Sequence, residues 1–63
     1  MTELEKLYQN MADTLEQGVT DLEKFQDGNM SAGTRVRKNM QAIKDLAQKV
    51  RVTVQEQKNA VAA

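Results

Sequence analysis

Seven of the nine basic side chains lie in the second half of the chain: Arg35, Arg37, Lys38, Lys44, Lys49, Arg51 and Lys58. Four of these, Arg37, Lys44, Arg51 and Lys58, recur at every seventh residue. On a straight helix such a row drifts only ~20° per heptad, so it makes a gently wound stripe. A row of fixed cations suits a polyanion, because Lys and Arg neutralise phosphates and release their counterions. The cluster Arg35, Arg37, Lys38 follows Gly28-Asn29-Met30-Ser31-Ala32-Gly33-Thr34. Free backbone amides at a helix start there would attract anions, and the small residues Ser31, Ala32 and Gly33 would let a phosphate backbone come close. Cations so near a helix N-terminus oppose its dipole. Their counter-charge is therefore either an external phosphate or the acids Asp21, Glu23 and Asp27 across a hairpin.

Other chemistry has few means here. The chain has 63 residues and no Cys, His, Pro or Trp. It lacks the usual ligands of zinc, haem and iron–sulfur clusters, and it lacks disulfides. Acid–base work would fall to carboxylates or Lys, and a nucleophile to Ser31, Tyr8 or a Thr, each needing a positioned partner in a closed pocket. A chain this short has little room for one, so no enzyme, no small-molecule substrate and no cofactor is expected. Asp27-Gly28-Asn29 resembles part of a calcium loop, but the ligand series ending in Glu at the twelfth position is missing. That segment reads as a helix stop, and no metal site is expected. No apolar run reaches the 18 residues of a membrane span, and Met1-Thr2-Glu3-Leu4-Glu5-Lys6 is not a secretory signal. A cytoplasmic chain without membrane contact is expected.

The elements that must position the cations follow from apolar spacing. Met1, Leu4, Tyr8, Met11, Leu15, Gly18, Leu22 and Phe25 step by three and four, widened by Leu7, Ala12 and Val19. After Asp27-Gly28-Asn29 the steps resume through Gly33, Val36, Met40, Ile43, Ala47, Val50, Val54, Gln57 and Val61. This heptad spacing predicts two amphipathic helices. Gly28 suits the left-handed position after a helix and Asn29 suits an N-cap. A single domain over 1–63 is expected: helix 1 at about 3–27, a turn at 28–29, helix 2 at about 30–59 and a frayed tail at 60–63. So short a connection implies an all-α antiparallel hairpin.

A two-helix hairpin buries one seam, and a chain below roughly 70–80 residues seldom gains more than ~3–5 kcal/mol from such a core without disulfides, metal or oligomerisation. A homodimer forming a four-helix bundle is therefore expected. Its interior should hold Leu4, Leu7, Met11, Leu15, Val19, Leu22, Phe25, Val36, Met40, Ile43, Leu46, Val50 and Val54. Gly18 and Gly33 fall on the seam, where they point to close helix approach.

The charge is zero overall, nine bases against nine acids. Along the chain it separates. Through Asp27 two bases meet seven acids, a net of −5; from Gly28 seven bases meet two acids, a net of +5. The flanking positions of helix 1 that would face the basic row are Glu5, Ala12, Val19 and Gln26. Only Glu5 is an acid, so the row is left for solvent, a dimer partner or a polyanion.

At these residues a resemblance becomes visible. Gly28 to Asn59, with its Gly-Asn turn, small residues and Arg35-Val36-Arg37 triplet, resembles the helical region of the bacterial linker-histone-like family, which includes the chlamydial histone-like protein. The resemblance implies sequence-independent DNA association in the nucleoid. It places Arg35, Arg37 and Lys38 on the family's basic cluster, and Lys49 and Arg51 on bases further along the same helix. Family members commonly carry Lys where Met30 stands, and longer ones continue into a Lys- and Ala-rich tail. Contact is thus expected through the folded helix: phosphates held by Arg35, Arg37, Lys38, Lys44, Lys49, Arg51 and Lys58. The alternative is a helical interaction or assembly module with no nucleic-acid role, using Val54 and Val61 as a docking strip.

Overall fold

The computed structural model describes residues 1–62. Two helices, α1 (Glu3–Gln26) and α2 (Met30–Ala62), pack side by side as an antiparallel hairpin. The Cα envelope measures 53 × 19 × 10 Å. It is two helices wide and one helix thick.

Each helix end has a local cause. Thr2 caps α1: its Oγ1 accepts from Glu5 N–H at 3.1 Å, and Glu5 Oε1 accepts from Thr2 N–H at 3.1 Å. This reciprocal box satisfies two amides that the helix leaves free. At the other end Asn29 N–H donates to Lys24 C=O and Gly28 N–H to Phe25 C=O, both at 3.0 Å. This pair of hydrogen bonds closes α1 with Gly28 at φ +101°, a conformation that residues with a Cβ rarely adopt. Asn29 then starts α2, its Oδ1 accepting from Ala32 N–H at 3.3 Å. One residue therefore both ends the first helix and caps the second. The far end of α2 differs from the sequence expectation. Residues 60–62, Ala-Val-Ala, continue the helix, as two alanines with no Gly or Pro among them favour; Ala63 lies outside the described residues.

The seam is narrow and partly polar. Leu4, Leu7, Met11, Thr14, Gly18 and Asp21 of α1 face Ala32, Val36, Asn39, Ile43, Leu46, Val50 and Thr53 of α2, and all of these are buried or half-buried. Asn39 reaches across it, Nδ2 donating to the Thr14 carbonyl at 2.6 Å. This places the Asn39 amide directly over Gly18, where a Cβ would lie 2.6 Å from Asn39 Cγ. Phe25 does the same over Gly33, its ring 2.8 Å from where a Cβ would stand. Close approach holds Gly18 under a hydrogen-bonded amide, whereas at Gly33 the neighbour is the half-exposed Phe25 ring.

That approach selects a different seam from the one the heptads suggested. Leu4, Met11 and Gly18 stay inside, but their companions are Leu7, Thr14 and Asp21 in place of Tyr8, Leu15 and Leu22. In α2, Val36, Ile43 and Val50 pair with Ala32, Asn39, Leu46 and Thr53 in place of Met40 and Val54, while Gly33 and Ala47 stay half-buried. Six residues expected inside are exposed in the hairpin: Leu15, Val19, Leu22, Phe25, Met40 and Val54, at 54%, 46%, 44%, 41%, 46% and 39%. The apolar arc on each helix is wider than one neighbour can cover.

In both helices the uncovered row is rotated from the seam in the same sense along the chain. Antiparallel packing reverses that sense when both are viewed from one end, so Tyr8-Leu15-Leu22 and Met40-Ala47-Val54 open on the same side of the hairpin. Leu4, Val54 and Val61 line a shallow groove across both helices on that side.

Two outcomes test this packing. Gly18→Val forces a branched side chain against Asn39 and should destabilise the hairpin by about 1–3 kcal/mol in urea unfolding, as overpacking does. Unchanged stability would refute the close approach. Hydrogen bonding, first from the Thr2 backbone and then from its side chain, holds the Glu5 carboxyl below the ordinary glutamate range. Its contribution is present above that range and lost as pH falls through the lowered value. Helicity at the start of α1, followed by NMR, should therefore decline on acidification, and Glu5→Gln should remove that dependence.

Candidate nucleic-acid interface

The positions that follow the seam by one residue turn ~100° away from it. Arg37, Lys44 and Arg51 follow Val36, Ile43 and Val50 in this way, so the basic row runs along the outer edge of α2, just beyond the open row Met40-Ala47-Val54. Lys58 continues it beside Leu4, Val54 and Val61. Successive bases are ~10.5 Å apart along the axis, and Arg37 to Lys58 spans ~32 Å. All four are exposed. Arg37, Lys38 and Lys44 share a shallow open depression of about 540 Å³ with Thr34, Val36, Met40 and Gln41. Lys44 and Arg51 flank another, which also holds Asp45. The Asp45 carboxylate accepts from Gln41 Nε2 at 3.1 Å.

The seven candidate bases do not form one surface. Arg35 and Lys49 lie fourteen residues apart on the opposite flank of α2, nearly half a turn from the row. Arg35 there donates from Nε to Asp21 Oδ1 at 2.7 Å, and among the described residues this is the one ion pair. Of the two sources of counter-charge that the sequence left open, α1 provides for Arg35 through Asp21; Glu23 and Asp27 make no such pair. Arg37, Lys38, Lys44, Lys49, Arg51 and Lys58 have no carboxylate within ion-pair distance among the described residues.

The start of α2 departs from the sequence reading. Ala32 is fully buried and Gly33 lies beneath the Phe25 ring. Ser31 Oγ donates to Asn29 Oδ1 at 3.1 Å. The small residues serve the approach of α1, and no phosphate backbone could come close over Ala32 and Gly33. The residues that sequence reasoning missed are Asn39, Thr14 and Thr53, polar groups inside the seam. Each sits one residue before a position that the heptad spacing favoured, and only the approach of the opposite helix selects it.

Among the described residues no group of three carboxylates gathers to hold a metal ion, and no helix is long and apolar enough to cross a membrane. The arrangement is a hairpin whose second helix displays cations outward, joined to an acidic first helix. The family model of the histone H1-like protein Hc1 matches residues 5–60. The chain belongs to the Hc1 family. It is thus a histone-like protein of a DNA-associated, DNA-packaging family, which is not an enzyme family. The match covers both helices and the turn, so the acidic α1 is as much a part of the Hc1 fold as the basic α2. No curated protein and no solved structure shows significant similarity to the chain.

The Arg35–Asp21 pair is solvent-facing, with side chains 47% and 24% exposed. Exposed pairs of this kind contribute about 0–1 kcal/mol. Asp21→Asn should therefore change unfolding free energy by less than ~1 kcal/mol in urea titration. A larger loss would make Arg35 a structural residue and remove it from the candidate interface.

Proposed function

We propose that this Hc1-family chain binds duplex DNA without sequence preference, holding phosphates through Arg37, Lys44, Arg51 and Lys58, and that it does so as a homodimer in the nucleoid. The observation that carries the reading is the outward row of four cations on one edge of α2, none of them neutralised by α1. Its length of ~32 Å is close to the ~34 Å of one duplex turn. Lys38 adds to the same outward half of the helix. Arg35 and Lys49 would reach only a backbone passing over the opposite flank, and Arg35 would exchange Asp21 for a phosphate at little cost. Both aromatic residues, Tyr8 and Phe25, lie on α1, so α2 has no ring to stack on bases or wedge between them. Contacts of this type position a protein on the duplex and carry no sequence information.

The homodimer is supported by the shape of the hairpin, which is one helix thick and leaves apolar rows uncovered. The same uncovered rows favour a second reading, an assembly module whose charges pair between hairpins and touch no nucleic acid.

Charge reversal separates the two. On duplexes of unrelated sequence, affinity should be equal and should fall with salt. If four phosphates are neutralised, the slope of log K against log salt is about −3.6. Arg37→Glu with Arg51→Glu should abolish binding at low salt while circular dichroism and mass in solution stay unchanged. Loss of assembly with the wild-type chain showing no DNA binding would support the module and overturn the DNA reading.

A further inference from the structure

We propose that the two copies pack with α1 of each against α2 of the other, so that the two basic rows stand on opposite sides of the bundle and hold two separate duplexes. The proposal rests on the homodimer reading and adds its arrangement. The chain exposes 5058 Å². A compact protein of 7.1 kDa exposes roughly 4,100 Å². The excess is about the ~800 Å² that each partner of a standard interface buries. It is matched by an apolar face on one side of the hairpin: Tyr8, Leu15 and Leu22 on α1, Met40, Ala47 and Val54 on α2. A second copy presents the same face, and so is its complement in hydrophobicity and length.

Two symmetric ways of stacking these faces exist. A two-fold axis parallel to the helices sets α1 over the partner's α2. An axis across the helices sets α1 over α1 and α2 over α2. Both keep all neighbouring helices antiparallel, so helix dipoles do not choose between them. Net charge does: α1 with its adjoining turn carries −5 and the rest of the chain +5. The first arrangement keeps the two basic helices apart, at diagonal corners. The second sets two basic helices side by side, with eight row cations converging on one face, and like-charge juxtaposition across an interface is strongly unfavourable.

The arrangement decides what the dimer does with DNA. With α1 over α2, the two α2 helices occupy diagonal corners of the bundle, and their rows face opposite ways. One duplex cannot reach both, so each dimer links two. With α2 over α2, both rows would grip a single duplex.

The natural absence of Cys makes the test direct. Ala12 and Ala47 lie at about the same height on α1 and α2, on the edge of the open face. An equimolar mixture of Ala12→Cys and Ala47→Cys single variants should oxidise to a mixed disulfide dimer, while Ala47→Cys alone should stay uncrosslinked. Crosslinking of Ala47→Cys alone overturns the arrangement and leaves the homodimer standing. A monomeric mass by analytical ultracentrifugation at micromolar concentration overturns both. In a pull-down, a bead-tethered duplex with wild-type protein should retain a second, labelled duplex, and Arg37→Glu with Arg51→Glu should lose that retention. Binding to the tethered duplex without capture of the second overturns bridging and leaves phosphate binding standing.

Discussion

The close contact of α1 with α2 at Gly18 is the constraint on which the rest of the molecule depends. A Cβ at that position would collide with the Asn39 amide, which spans the gap to the Thr14 carbonyl at 2.6 Å. A half-buried amide without its partner would be costly, so the bond and the glycine specify one phase of helix against helix. Once that phase is set, every other face is determined. Thr14, Asp21 and Thr53 turn inward or to the seam margin, Tyr8, Leu15 and Met40 turn to one open side, and the cations at 37, 44 and 51 turn to the outer edge. A rotation of α2 by one residue, ~100°, in one sense would bring the basic row toward α1.

The helices themselves were legible because their signals are local. The three-four spacing, Gly28 with its positive φ, and Asn29 before a run of helix formers all act within one or two turns. The phase of the seam was not legible, because each helix carries two adjacent apolar rows. Leu7 and Leu46 were expected inside on hydropathy, but the three-four spacing alone runs through their neighbours Tyr8 and Ala47. The choice between them came from Asn39, Gly18 and Ala32, whose sizes matter only in relation to the opposite helix. Asn39 was the least predictable residue: a polar side chain at a seam position is expected to weaken a coiled coil, and here it finds a backbone acceptor. Among the cations, the row of four could be read from its seven-residue period. The pairing of Arg35 with Asp21 depended on the hairpin register, which the sequence expressed only as one of several pairings.

The zero net charge of the chain has a spatial meaning. Seven of its acids lie on α1 and its adjoining turn, and seven of its bases lie on α2. In the hairpin they face largely away from one another, with Arg35 and Asp21 as the exception. Charges separated in this way lower the general attraction for polyanions while keeping a strong local field along one edge. The family match runs through both the acidic and the basic helix, so this separation of charge belongs to the matched region as a whole.

The three-residue turn from Asp27 to Asn29 gives the hairpin a gradient along its length. Near it, Phe25 meets Gly33 across a short loop; at the far end, Leu4 and Val54 share a groove although fifty residues separate them. Loop-closure entropy rises with that separation, so pairing propagates from the turn outward like a zipper, and thermal opening starts at the free ends. The cationic edge lies along this gradient. Arg37 stands near the turn and Lys58 near the free ends, so the two ends of one charged edge differ in how firmly the opposite helix holds them.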